Sequence, residues 1–260
     1  MTPGFHYIGR EPSLSMVQNA KSGMKLAKGK YIANIHDDDV LDTRFLEMLI
    51  HPMEQDEKIG LVFCDHKIID AAGIEVVNTK ESSRAGLAQG ILTHRADALF
   101  DMVIPTPSGR LFKSGSIDLD EIYDGVGTAY DWWMSFLHCK STFECYYVPE
   151  KLMSYRVHLN SMTSAKTSEH AENVTFILSH FLIYQSFPDK NKIIKKRMVM
   201  AAFNIAKCRL LLCENAEARA GLIKAFRLTG SLRCIMAYLF ACLPSGLTHL
   251  TLKAIVHFRK

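Results

Sequence analysis

The stretch Tyr31-Ile32-Ala33-Asn34-Ile35-His36-Asp37-Asp38-Asp39 decides how this chain is read. Its apolar-leaning first half, with Lys30, has strand character over Lys30–Ile35, and three adjacent acids follow it. Adjacent carboxylates at the C-terminal end of a buried strand repel one another and cost stability unless a hard cation neutralises them. Mg²⁺ and Mn²⁺ are held by one or two carboxylates, with substrate phosphates and water completing the shell. The carboxyl end of a strand in an α/β sheet is also where ligands bind. The triplet therefore points to a metal–diphosphate site. The alternative is that the acids cap the amphipathic stretch Val40–Met53 that follows and favour its positive N-terminal end.

Outward from the acids, helical and strand patterns alternate. Ser15–Lys28 reads as a helix stopped by Gly29. A helix is expected over Thr43–Glu54 and a strand over Ile59–Ile69, followed by a turn at Asp70–Gly73 and a return at Ile74–Val77. Ser82–Gln89 is polar and reads as a loop, and Gly90–Phe100 reads as a helix. Pro105–Gly109 breaks the chain before a short strand at Leu111–Lys113. Asp131–His138 is helical with an apolar face of Trp132, Trp133, Phe136 and Leu137. Phe143–Val148 is a strand closed by Pro149, and Leu152–His158 is another. From about Ser168 the pattern is helical, with breaks at Pro188, Gly230 and Pro244. Alternating elements followed by helices alone predict an α/β domain with a helical C-terminal part.

The 260 residues are 48% hydrophobic and 22% charged, enough for a full core and ordinary for a globular protein. Residues 1–10 lack the apolar run of a signal peptide. The seven cysteines show no short zinc-type spacing and read as reduced thiols of a cytosolic protein. The net charge of +4 is uneven. After Glu217 there is no acid, while Arg219, Lys224, Arg227, Arg233, Lys253, Arg259 and Lys260 are basic. A basic, apolar tail suits an anionic membrane surface. Its longest apolar run, Cys234–Leu243, is too short to span a bilayer, which takes about 20 residues. The other reading of the tail is a helical appendage with solvated charges. Nothing in the chain suggests nucleic-acid binding.

Taken in order, these pieces resemble the family 2 glycosyltransferases of GT-A fold. Gly23–Ile32 (GMKLAKGKYI) is similar to the helix leading to that family's central strand, and Asp37-Asp38-Asp39 to its Asp-x-Asp-type metal motif. Leu61–Gly73 (LVFCDHKIIDAAG) resembles the next strand and turn. Ser108–Ile117 (SGRLFKSGSI) resembles the segment before the acceptor site, and Tyr130-Asp131-Trp132-Trp133 its Glu-Asp-Trp site. Val148-Pro149-Glu150 and Tyr155-Arg156-Val157-His158 resemble its closing Tyr-Arg-x-His stretch.

The resemblance covers residues 15 to about 165. It implies a partial GT-A domain over 1–165 and a helical extension over 166–260. Members normally begin with two further strand–helix units, so the expected domain is N-terminally truncated by roughly 60 residues or more. Two positions depart from the pattern: Tyr130 stands where the family has Glu, and Ala20-Lys21 where it often has Arg-Asn.

By the resemblance, Asp38 binds Mg²⁺ or Mn²⁺ with help from Asp37 or Asp39, and His158 completes the metal shell or touches the diphosphate. Asp131 is the general base of an inverting transfer. Lys21, Asp37, Trp132, Trp133 and Arg156 are the donor or acceptor contacts, the tryptophans by stacking on a sugar ring. Without the resemblance, Asp131 reads equally as a helix N-cap, His158 as a structural histidine and at least one tryptophan as core.

The expected activity moves a sugar from a nucleotide-sugar donor to a saccharide or lipid-linked acceptor in cell-surface polysaccharide or glycolipid synthesis. The expected place is the cytoplasm, at the inner face of the cell membrane. The alternatives are an inactive remnant or interaction module, or a nucleotidyltransferase of the same fold.

Overall fold

The computed structural model describes residues 6–76, 84, 86–158 and 168–257. They form two compact units, Met1–Ile69 with Glu75–Arg156, and Asp70–Ile74 with Val157–Lys260. The domain boundary expected after residue 165 lies outside the described residues, as do Val77 and part of the loop expected over 82–89.

In the first unit, α1 (Met16–Leu26) is opened by Ser15, whose hydroxyl accepts from the Gln18 N–H. The strands are β1 (Tyr31–Ala33), β2 (Val40–Leu41), β3 (Ile59–Ile69), β4 (Gly90–Ile91), β5 (Arg110–Lys113) and β6 (Glu144–Arg156). Between them lie α2 (Phe45–Gln55), α3 (Arg95–Phe100) and α4 (Tyr130–Lys140). The sheet order is β1-β5-β3-β6-β2, with β4 on β6. The long central pair β3 and β6 is parallel and the other pairings are antiparallel. This is a mixed α/β sheet with β1, the strand that leads to the acids, at its edge.

The first six residues of β3 are buried, as a central strand covered on both faces requires. On one face, Val62 and Cys64 of β3 join Phe45, Leu49 and Met53 of α2 and Leu152 and Met153 of β6 in one apolar cluster. Phe63 turns the other way, against Tyr147, and Phe112 of β5 meets His138 of α4 edge to face at 5.3 Å. His138 is 1% exposed and both its ring nitrogens lack partners. Burial, reinforced by Arg110, pulls its pKa down to about 3, so it is a neutral core side chain. Gly60 is required by contact: a Cβ there would stand 2.5 Å from that of Phe143.

The helix expected over Thr43–Glu54 is α2, and Val40–Leu41 before it pairs with Met153 and Ser154 of β6. Two expectations need correcting. Gly90–Phe100 is not one helix, because Gly90 (φ +139) and Ile91 pair with Tyr147 and Tyr146 before α3 begins at Arg95. Pro149 does not close a strand. β6 runs through it because the register jumps there, from Cys64↔Val148 to Asp65↔Lys151, so Pro149 and Glu150 sit in a bulge where no ladder N–H is needed.

The second unit is helical, as expected: α5 (Ser168–Ile183), α6 (Asn191–Leu211), α7 (Asn215–Thr229), α8 (Leu232–Ala241) and α9 (Ser245–His257). The expected breaks at Pro188, Gly230 and Pro244 are present, and a fourth that was not expected falls between α6 and α7, where Cys213 takes φ +63. Gly230 takes the left-handed conformation (φ +70) that ends α7. The long α6 packs against α5, α7, α8 and α9. Small buried residues, Ala202, Ala206, Ala218, Ala225 and Ala241, let the helices approach closely around Leu210 and Leu222.

Candidate active site

After β1, the chain crosses to β2 through Asn34–Asp39, and three neighbours pin this loop. The Ser108 hydroxyl, itself fully buried, accepts from the His36 N–H at 3.0 Å. Arg156, the last residue of β6, donates its backbone N–H to Asp39 Oδ1 at 3.1 Å and its Nε to the Asp38 carbonyl at 2.8 Å. Tyr130, the first residue of α4, bonds through its hydroxyl to His36 Nε2 at 2.9 Å and accepts from the Asn34 amide at 3.2 Å. Burial pushes the Tyr130 phenol up to about 12, against the opposing pull of Arg110, so it is neutral.

This pinning brings one ligand atom each from His36, Asp38 and Asp39 within 4.8 Å of one another. The Asp39 side chain is 0% exposed, and its Oδ2 has no hydrogen-bond partner. Buried carboxylate oxygens are almost always paired, because leaving one bare forfeits its hydration without return. His36 Nδ1 is 3.9 Å from Asp39 Oδ2. That is too far for a hydrogen bond and a suitable separation for two ligands of one ion. The donor set therefore fits a divalent cation. The capping alternative does not hold for these acids, since β2 separates them from α2, and it is Asp42 that accepts from the Arg44 N–H at the start of that helix.

Asp131 is in the first turn of α4, whose N-cap, Ala129, makes no side-chain bond. Asp131 Oδ1 accepts from the adjacent Trp132 N–H at 2.7 Å. Below it lies the buried guanidinium of Arg110, which donates to the Asp131 carbonyl and to the Ser135 hydroxyl. Burial depresses the Arg110 pKa, and the Asp131 charge acts in the opposite direction. Asp131 lines a small cleft with Met102, Ile104, Pro105, Trp132 and Ser135. A larger cleft, lined by Met48, Ile50, Ile91 and Tyr146, holds none of the candidate residues.

The other expected site residues are placed as follows. Asp37 is exposed and outside the cation group. Lys21 donates to the carbonyls of Asp120 and Ile122 and pairs with the Asp120 carboxylate, tying α1 to that segment. Trp132 and Trp133 are both buried. Trp132 donates to the Leu99 carbonyl and meets Phe100 edge on, while Trp133 donates to the Glu121 carbonyl and packs on Tyr123 and Phe136. Both indoles are thus part of the core. His158 belongs to the second unit and is not a member of the cation group.

Sequence reasoning did not assign His36 or Tyr130 a role, although His36 heads the acid run. It also passed over His66 on β3, which accompanies a buried pair: Arg84 donates to Asp65 at 2.7 Å and lies 3.1 Å from His66 Nδ1. Burial first, then Arg84, holds the His66 pKa below its ordinary value, and Asp39 acts on it in the other direction.

Residues 1–100 match the family model described as Glycosyl transferase family 2. Over that stretch, which includes the acid loop, the resemblance drawn from the motifs is borne out. The match ends before Arg110, Tyr130, Asp131 and Arg156. No curated protein matches the chain.

Proposed function

We propose that this chain, with its family 2 glycosyltransferase match, moves a glycosyl group from a nucleotide-sugar to a saccharide or lipid-linked acceptor, with inversion, through a GT-A type domain. The observation that carries the reading is the Asp39 carboxylate. It is buried and clamped by the end of β6, and one oxygen is left bare beside Asp38 and His36 in the family-matched segment. Asp38 and Asp39 would hold Mn²⁺ or Mg²⁺. The ion's chemistry there is to offset the charge that grows on a departing nucleoside diphosphate. Arg156 fixes the loop through the Asp38 carbonyl and the Asp39 carboxylate, so its first task is to position.

Asp131 is the proposed base. Its carboxylate takes the proton from an acceptor hydroxyl as that oxygen attacks the sugar from the face opposite the leaving group. Arg110 and Ser135 hold its backbone in place from below, and the residue before it is bonded to His36. Base and cation group are therefore coupled through one peptide. The test is incubation with Mn²⁺ and a panel of nucleotide-sugars, following nucleoside diphosphate release and the anomeric configuration of the product by NMR. Release that requires Mn²⁺ and yields an inverted product supports the reading. No release from any donor, together with no Mn²⁺-dependent binding of a nucleoside diphosphate, contradicts it.

For the place of action we propose the cytoplasmic face of an anionic membrane. Leu232, Met236 and Leu239 recur at i, i+4 and i+7 on α8 and are 61–72% exposed, while Cys234 and Ala241 on its opposite side are buried. Leu247 and Leu250 on α9 are exposed as well. Arg227, Arg233 and Lys253 are exposed in the same acid-free segment. No described helix is by itself long and apolar enough to cross a membrane, and the pair α8–α9 is bent by 114°. An apolar face with basic neighbours and no acids suits lying in the headgroup region.

A further inference from the structure

We infer that His36 is an imidazole ligand of the cation site, held in place by Tyr130, and that this pair tilts the site towards Mn²⁺ and away from Mg²⁺. The inference rests on the metal reading above and goes beyond it, since the two acids alone would serve either ion.

Three observations converge. The His36 ring is fixed at both ends of its own residue, by Ser108 on the backbone N–H and by Tyr130 on Nε2. With Nε2 engaged, Nδ1 is the nitrogen left towards Asp39, 3.9 Å from the bare Oδ2. That oxygen is fully buried and has no hydrogen-bond partner, so a cation bridging it to Nδ1 would satisfy both atoms at once. A metal-bound imidazole usually donates its other N–H to an acceptor, which fixes ring orientation and raises basicity. The Tyr130 oxygen can fill that place: a hydroxyl donates to Nε2 when His36 carries its proton on Nδ1, and accepts from Nε2–H when Nδ1 binds metal. The Asn34 amide already donates to the same oxygen, which keeps the phenol in position.

The chemistry of the ligands then sets the preference. Mg²⁺ demands oxygen ligands in a near-ideal octahedron and gives up water reluctantly, whereas Mn²⁺ accepts a nitrogen more readily. A nitrogen in place of a third oxygen therefore penalises Mg²⁺ more than Mn²⁺.

The experiment uses the full chain and the metals alone, without substrate. Pulsed EPR of the Mn²⁺ complex should show modulation from a directly bound nitrogen. His36→Ala should abolish that modulation, and His158→Ala should keep it. By calorimetry, His36→Ala should weaken Mn²⁺ binding about 10- to 100-fold while Mg²⁺ affinity stays within about threefold. Tyr130→Phe should weaken Mn²⁺ binding about tenfold, as for loss of an outer partner of a ligating histidine. The wild-type spectrum needs no variant to fold, so it decides even if a substitution is disruptive. A Mn²⁺ complex without bound nitrogen, or with nitrogen that survives His36→Ala, overturns the inference. If Asp38→Ala still removes Mn²⁺ binding in that case, the acid site stands and only the role of His36 falls. If the wild type binds neither metal, the metal reading itself fails and the inference with it.

Discussion

The acid loop and the α8–α9 helices depart from ordinary folding economy in opposite directions. In the loop, a carboxylate is buried with one oxygen bare. In α8 and α9, leucines and a methionine stand in the open beside exposed cations. Solvent would welcome the first group and folding would normally hide the second. The loop has the further feature that it is pinned: Ser108, Tyr130 and Arg156 each make a hydrogen bond that keeps it in place. The helices are held by their buried side, through Cys234 and Ala241, and leave the other side bare. The comparison teaches that a polar group buried without a partner and an apolar group exposed without cover carry the same kind of message. In the reading proposed above, each would be completed by something from outside the chain, a cation in one region and a lipid surface in the other.

The largest expected effect breaks the first half of that comparison. Asp38→Ala should lower Mn²⁺-dependent binding of a nucleoside diphosphate by about 100-fold or more, beyond the range typical for outer partners of a metal site. Calorimetry with and without Mn²⁺ measures it, and an unchanged, metal-dependent affinity would return the acids to a structural role. Asp131→Asn comes next. It should leave nucleoside diphosphate binding intact and reduce turnover by about 10²-fold or more, the usual share of a general base. Near-normal transfer would reduce Asp131 to a favourable charge in the first turn of α4.

The second half is tested by replacing Leu232, Met236 and Leu239 together with Ser. Each buried apolar side chain contributes about 1.5–3 kcal/mol when fully removed from water. Partial insertion of three should make the loss in vesicle affinity about 10- to 100-fold. Sedimentation with vesicles of phosphatidylglycerol and phosphatidylcholine reads it. Equal binding by variant and wild type, or binding that does not need the anionic lipid, would leave the face without its proposed partner.

The effect most remote from the comparison, on stability rather than on binding or turnover, concerns the core beneath the site. His138 is buried neutral, with a folded pKa of about 3 against an ordinary value of 6.5. Below pH 6.5 the unfolded chain takes up a proton there that the folded chain refuses. Its stabilising share is therefore complete above that pH and is lost as pH falls towards 3, by up to about 1.4 kcal/mol per unit. His138→Phe should flatten this part of the acid-denaturation profile. A profile of unchanged slope between pH 6 and 4 would mean that other groups set it.

What was legible in the sequence was local. β3 was read with its observed limits because six consecutive buried residues leave a run that periodicity detects. The helical second unit was read from Pro188, Gly230 and Pro244, which act on the backbone at their own positions. The acids were read because repulsion between neighbours in sequence needs no tertiary knowledge. What was not legible depends on partners far along the chain. Pro149 passes through β6 because of a register jump against β3, and Val40–Leu41 becomes a strand because Met153 and Ser154 pair with it. Tyr130 is 94 residues from His36, and Arg156 is 117 from Asp39. No spacing rule joins such pairs, so the histidine at the head of the acid run has no role in the sequence reading, which places at least one of the tryptophans after Asp131 in the core but not both.

The account turns on the bare oxygen of Asp39. The most direct measurement is a crystal structure of the chain with Mn²⁺ and a nucleoside diphosphate, with data collected at the manganese absorption edge. The account predicts an anomalous peak between His36, Asp38 and Asp39, at metal–ligand distance from Asp39 Oδ2, with the diphosphate against it. A map with no peak there, in which Asp39 Oδ2 instead accepts a hydrogen bond from water or protein, would contradict it.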